Sequence, residues 1–303
     1  MFEVVFLGTA ASTPSVDRGL PAVLVRTGRQ RFLIDCGEGT QRQLLKSGVG
    51  YRKLTSVLLT HAHLDHILGL PGLVSTLSLF DTPMDEPFVI AGSAQTIRIT
   101  RSVMQGVWPS GRMPLGPRWA ELTPGAVTTS DEADVRCFKV VHGETESLGY
   151  VFESPMRRHL VPEKLEALGV PHGPERAKLA KGESIVLADG RTIKADDVTT
   201  PPTPGTKLVV VGDAQDTRQA LPHAQNADAL IIEATFLERD AALARERSHL
   251  TAKAAAELAR DANVKALYLT HLSGRYSAGE VLAEATAVFP YTTLAHDFLV
   301  VNI

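Results

Sequence analysis

The sequence predicts an α/β protein in which layered sheets are covered by helices. Three observations carry that expectation. Short β-rich runs recur along the whole 303-residue chain, several of them stop at once in His, Asp, Glu or Gly, and helix-like segments with apolar positions three and four apart lie between them. Such alternation argues against an all-β sandwich.

Taken in order, FEVVFLG (2–8), AVLVRTG (22–28) and RFLIDCG (31–37) read as strands, and GTQRQLLKSG (39–48) as a helix. SVLLTH (56–61) is a strand, LPGLVSTLSLF (70–80) a helix, and FVIAG (88–92) and VRCFKVVHG (135–143) are strands. KLVVVGD (207–213), ALIIEATF (229–236), KALYLTH (265–271) and FLVVNI (298–303) are further strands, with a helix at 251–264 whose start is marked by Thr251. Residues 154–182 depart from the pattern: Pro155, Pro162, Pro171, Gly173 and Pro174 suit an excursion from the core better than a central strand. We therefore expect a single domain over 1–303 with an inserted flexible arm at 154–182.

Composition narrows the function classes. At 44 % hydrophobic residues the chain can bury a sizeable core, and a net charge of −3 gives no global basic field for nucleic acid. A polyanion would have to be gripped locally, and the arm offers the place: 156–182 holds six Lys/Arg against three Glu. The N-terminus lacks a positively charged flank and a long apolar stretch, and no run approaches the ~18 to 20 apolar residues of a membrane span, so we expect a cytoplasmic protein without a membrane partner. Cys36 and Cys137 are too few and too scattered for a disulfide framework or a paired-cysteine metal site, and read as core residues.

The stretch LLTHAHLDHILGLPG (58–72) packs three histidines and an aspartate into six positions behind an apolar run. In an extended segment alternate side chains share a face, so His61, His63 and Asp65 can point one way while His66 swings in from the start of a helix. Clustered titratable groups at a strand end repel one another or stay unsatisfied without a metal. His with Asp and no Cys suits zinc, or another divalent metal such as manganese, better than calcium or magnesium. The remaining ligands are expected at other strand ends, where a rigid scaffold presents site residues, and His142, Asp213 and His271 each follow an apolar run. We assign His61, His63, His142 and Asp213 to one metal and Asp65, His66, Asp213 and His271 to a second. The shared Asp213 lets two cations about 3.5 to 4 Å apart act together. His172, His223 and His296 read as ordinary structural histidines. Gly8, Thr9 and Ser12 fit either a cleft lining or a simple turn, and Ser273 and Arg275 fit either phosphate binding or charge balance.

The ordered set H-x-H-x-D-H at 61–66, His142, Asp213 and His271 resembles the metallo-β-lactamase superfamily. GVPHGPERAKLAKGE, EATF, SHLTAKAA and THLSGRY together narrow the likeness to its ribonuclease Z family, and with FLGTAASTPS and IDCGEGTQRQL the similarity runs nearly end to end. The resemblance implies a four-layer αββα sandwich of two pseudo-symmetric halves, a zinc-dependent endoribonuclease that removes the 3′ trailer of precursor tRNA, and two Zn2+ per subunit. It further implies that Asp65 accepts the proton of the attacking water and that His249, held by Glu233, protonates the departing sugar oxygen. The 154–182 arm, on the same grounds, docks the tRNA bound by the partner subunit of a homodimer. Two departures are Ile232, where the family usually has histidine, and Ala214, where threonine is common. Alternative functions are a dinuclear zinc hydrolase of small phosphodiesters or sulfate esters, and a metal-stabilised RNA-binding protein without catalysis.

Overall fold

The computed structural model describes residues 1–51, 53–79 and 87–303; Phe80, the last residue of the helix expected at 70–80, lies outside them. The chain forms two compact units, one of Met1–Glu153 with Lys207–Ile303 and the other of Ser154–Thr206.

In the larger unit, β1 (Glu3–Gly8), β2 (Ala22–Thr27), β3 (Gln30–Ile34), β4 (Ser56–Leu58), β5 (Val89–Gly92) and β6 (Arg118–Glu121) join one sheet in that order. Helices α1 (Thr40–Lys46), α2 (Leu64–Ile67), α3 (Leu70–Leu77) and α4 (Ala94–Val107) interleave with them. The second sheet begins with the antiparallel β7 (Gly125–Thr129), β8 (Asp134–His142) and β9 (Thr145–Glu153). In the smaller unit follow α5 (Pro162–Ala167), α6 (Pro174–Ala180), the hairpin β10 (Ile185–Val186) and β11 (Thr192–Ile193), and α7 (Ala195–Val198). The second sheet resumes with β12 (Lys207–Val210), β13 (Ala229–Glu233), β14 (Leu267–Thr270) and β15 (Thr292–Leu294), all parallel, accompanied by α8 (Leu221–Ala224), α9 (Ala241–Arg247), α10 (Ala252–Asp261) and α11 (Ala278–Thr286). The final strand, β16 (Val300–Asn302), pairs with β1, so each of the two large sheets has seven strands among the described residues.

Period-two alternation builds the layers. Val4, Phe6, Phe32 and Ile34 of the first sheet share an apolar cluster with Tyr150, Phe152, Leu208, Val210 and Ile231 of the second, the core between the sheets. Their neighbours Val5, Leu7 and Leu33 turn the other way, onto Leu44, Leu73, Val74 and Met104 of the helices. Val209, Leu230 and Ile232 likewise turn outward onto Ala255, Leu258 and Ala259 of α10. The result is the four-layer αββα sandwich. Cys36 and Cys137 are both buried and unpaired. No helix of the described residues is long and apolar enough to cross a membrane.

Two features differ from expectation. The 14-residue helix α4 was not legible because its inner face is built from Thr96 and Thr100 as well as Ile97 and Met104, which dilutes the apolar period; Ser93 caps it by accepting from the Thr96 N–H. The segment expected as an arm at 154–182 belongs to a compact unit that runs on to Thr206, with a core of Leu165, Val170, Leu179, Ile185, Ile193 and Val198. Over 154–206 the charges are eight Lys/Arg against seven Asp/Glu, so the excess seen in 156–182 is largely balanced. Arg158 pairs with Asp196, and the Arg176 guanidinium donates to the carbonyls of Val170 and Pro171 at 2.8 and 3.0 Å. Lys164 and Lys178 stay exposed.

Candidate metal centre

The strand ends deliver the polar cluster. Beyond β4 the Leu59 N–H still bonds to the Ala91 carbonyl at 2.7 Å; then Thr60, His61 and His63 leave the sheet, and α2 carries Asp65 and His66. His142 is the last residue of β8, Asp213 follows β12 after Val211 and Gly212, and His271 follows β14 directly. Gly212 is required by proximity, since a Cβ there would lie 2.8 Å from Thr60 Oγ1. Asp35, Ser248 and His271 hold left-handed backbone conformations, with φ of 58°, 61° and 54°. Each costs on the order of 1 to 3 kcal/mol, strain of a kind that gathers at functional sites.

The seven expected ligands converge. One ligand atom from each of His61, His63, His142 and Asp213 lies within 4.8 Å of the others, and Asp65, His66 and His271 form a second such group. Asp213 stands between them: Oδ2 is 3.7, 3.8 and 3.5 Å from Nε2 of His61, His142 and His66, and Oδ1 is 3.4 Å from Nε2 of His271. Asp65 Oδ2 is 3.5 Å from His271 Nε2 and accepts the Ser12 N–H at 3.0 Å, which gives Ser12 a place at the site. His223 stacks on Phe138 and His296 meets the Asp297 carbonyl, so neither joins the cluster.

Outer partners fix which nitrogen of each ring faces inward. His66 Nδ1 lies 2.8 Å from Asp35 Oδ2, His142 Nδ1 2.7 Å from the Ser248 carbonyl, His61 Nδ1 3.0 Å from Thr60 Oγ1 and His271 Nδ1 2.9 Å from Thr235 Oγ1. Four rings thus present Nε2 to the centre, the arrangement by which second partners orient metal ligands. Among the described residues, buried His61 Nε2, His66 Nε2 and Asp213 Oδ1 have no hydrogen-bond partner, and His142 Nε2 lies only 3.2 Å from His63 Nδ1. Lone pairs buried this closely call for a cation, so the donor set fits divalent metal. The charge pattern agrees: burial and neighbouring His66 push His61 well below the ordinary imidazole range. Burial would raise Asp213, but His271 and His66 hold it well below the ordinary carboxylate range.

Beside this cluster, His249 Nδ1 lies 3.0 and 3.1 Å from the two carboxylate oxygens of Glu233, which is fully buried. Burial would lower the His249 pKa; the charge and hydrogen bond of Glu233 override it and lift it to about 9. Glu233 also receives the Ala214 N–H at 2.7 Å and the Thr235 hydroxyl. Because Ala214 contributes its backbone, its departure in side chain leaves this bond intact, and Ile232 points into the outer apolar cluster. His249 can also gather with Asp213 and His271, but its Nδ1 is 3.9 Å from Asp213 and closer to Glu233.

Sequence reasoning assigned no role to Asp35, Thr60 or Thr235. Asp35 was visible as a carboxylate placed directly after the apolar residues Phe32, Leu33 and Ile34, and it receives the Thr60 N–H and hydroxyl at 2.7 and 2.8 Å as well as His66. The two threonines carried no signal beyond Thr60 preceding His61 and Thr235 lying two positions after Glu233.

Two facing mixed sheets between helical layers, with a His/Asp cluster at their strand ends, define a metal-dependent hydrolase of the metallo-β-lactamase class. Residues 18–79 match the sequence profile of the metallo-beta-lactamase superfamily. A ribonuclease Z of Bradyrhizobium diazoefficiens is 51 % identical over 298 residues, 98 % of each chain, and one of Archaeoglobus fulgidus is 42 % identical over 303 residues, 99 % of this chain and 97 % of that one. Among solved structures, the short form of human tRNase Z superposes with a TM-score of 0.69 at 26 % identity, covering 99 % of both chains. The chain belongs to the ribonuclease Z family, and it is a metal-dependent nuclease.

Proposed function

We propose that the protein is a zinc-dependent endoribonuclease that hydrolyses the phosphodiester at the 3′ end of precursor tRNA and so removes the 3′ trailer. It works in the cytoplasm as a homodimer with two Zn2+ per subunit. The observation that carries the reading is the convergence of His61, His63, His142, Asp213, Asp65, His66 and His271 beside the His249–Glu233 pair. The names of the relatives supply the substrate, and nitrogen donors mixed with carboxylates favour zinc over calcium or magnesium, with manganese a workable substitute.

The seven residues would hold the metal, with His61, His63, His142 and Asp213 in one group and Asp65, His66 and His271 in the other. Bound there, divalent cations bring the pKa of water down to about 7 and stabilise charge on phosphoryl oxygens. Asp65 is kept ionised: burial would raise its pKa, but the His271 bond and the charge of His66 bring it to about 2. Asp65, set beside His66 and His271, would accept the proton of the attacking water. His249, protonated at neutral pH and bound to Glu233 through Nδ1, offers Nε2 to the departing 3′ oxygen of the tRNA. The folded 154–206 unit, which includes the 154–182 segment, docks the tRNA through exposed side chains such as Lys164 and Lys178.

Zinc-loaded protein should cut a trailer-bearing precursor to leave a 3′-hydroxyl on the tRNA body, and Asp65→Ala and His63→Ala should abolish the cut. A precursor left intact by the loaded wild-type protein would overturn the reading.

A further inference from the structure

We propose that Thr235 is a positioning residue that couples the metal centre to the proton-donating pair, acting on both at once through a single hydroxyl. The inference rests on the metal-dependent reading above. Thr235 is buried, and its Oγ1 lies 2.9 Å from His271 Nδ1 while also meeting Glu233 Oε2. A hydroxyl has one proton to give and can accept at its lone pairs. Glu233 accepts only, and a charged acceptor makes the stronger bond. The Thr235 proton therefore goes to Glu233, although the His271 carbonyl is also within 3.1 Å. The Thr235 oxygen must then accept from His271, which places the ring proton on Nδ1.

A directed chain follows: His271 Nδ1–H to Thr235 Oγ1, Thr235 O–H to Glu233, and His249 Nδ1–H to the same Glu233 carboxylate. With Nδ1 protonated, His271 turns its Nε2 lone pair toward Asp213 Oδ1 and Asp65 Oδ2, at 3.4 and 3.5 Å, where a cation would sit. The same hydroxyl fixes the plane of the Glu233 carboxylate that aims His249. A single oxygen thus sets a ligand tautomer and the orientation of the acid. An independent parallel supports the assignment: Thr60 gives its hydroxyl to Asp35 at 2.8 Å while its oxygen lies 3.0 Å from His61 Nδ1.

The test uses the full-length protein. In Thr235→Val, which keeps the shape and removes the hydroxyl, chelator competition with Zn2+ should show one of two binding steps weakened about 10- to 100-fold and the other unchanged. With precursor tRNA, kcat should fall about 10- to 100-fold while KM stays within about twofold, and Thr235→Ser should restore both quantities. Wild-type zinc affinity in a folded Thr235→Val protein, or a Thr235→Ser protein as impaired as Thr235→Val, would overturn the proposal. Should the Val variant fail to fold, nitrogen-15 spectra of the metal-free wild type decide: His271 protonated on Nδ1 is expected, and protonation on Nε2 contradicts it. The zinc and nitrogen readouts need no RNA, so they fail separately from the tRNA reading.

Discussion

The two halves of the larger unit carry the same wiring with different outcomes. In the N-terminal half, Asp35 accepts a backbone N–H from Thr60, the Thr60 hydroxyl and Nδ1 of His66, and the Thr60 oxygen touches His61. In the C-terminal half, Glu233 accepts a backbone N–H from Ala214, the Thr235 hydroxyl and Nδ1 of His249, and the Thr235 oxygen touches His271. The difference is burial. The His66 side chain is 2 % exposed and turns its Nε2 toward Asp213 Oδ2 at 3.5 Å, whereas the His249 side chain is 12 % exposed. A carboxylate behind an imidazole therefore does not by itself specify a metal ligand or an acid. What specifies it is where the second ring nitrogen faces.

The halves should separate under mutation. Asp213→Ala touches both groups of ligands, so we expect both cations and all activity to be lost, as metal analysis of the purified protein would show. Next come the paired carboxylates. Glu233→Gln should lower kcat by about 10²- to 10⁴-fold, the usual contribution of a positioned acid, while cation content stays at the wild-type level. Asp35→Asn should do the reverse in order of cause, weakening cation affinity about 10- to 100-fold and activity only through it.

The pH profile distinguishes them further. Glu233 lifts His249 to about 9, so the donor is charged below that pH, and the rate in wild type should hold through neutrality and fall as pH rises through about 9. Without the Glu233 charge, the fall should move to lower pH; an unmoved basic limb in Glu233→Gln would remove His249 as the donor.

A smaller effect is expected where the halves touch. Gly212→Ala forces a Cβ to 2.8 Å from Thr60 Oγ1, and overpacking of this kind costs about 1 to 3 kcal/mol, readable as a lowered Tm. The smallest effect belongs to the separate 154–206 unit: Lys164→Glu with Lys178→Glu should weaken tRNA binding and flatten its logarithmic salt dependence by roughly one per lost phosphate contact, with cation binding untouched.

Much of this was legible in the sequence because the site is built where apolar runs stop. His61, His142, Asp213 and His271 each follow a run rich in Val, Leu or Ile, and an abrupt polar residue at a buried strand's end is hard to explain without a function. The sheets were legible for the same reason, as alternate residues such as Val4 and Val5 had to serve two different cores. What stayed hidden depends on contacts between distant residues. Thr60 and Thr235 look like ordinary hydroxyls until Asp35 and Glu233 are brought to them, and Asp35 lies 31 positions from the His66 it orients. The extent of the smaller unit was also hidden, because prolines and charges over 154–182 mask a small core completed only by Ile185, Ile193 and Val198.

Anomalous diffraction from crystals of the zinc-loaded protein tests the central claim most directly. Two peaks are predicted, one among His61, His63, His142 and Asp213 and one among Asp65, His66, Asp213 and His271, with His249 bound to neither. One peak alone, or a peak ligated by His249, would contradict the account.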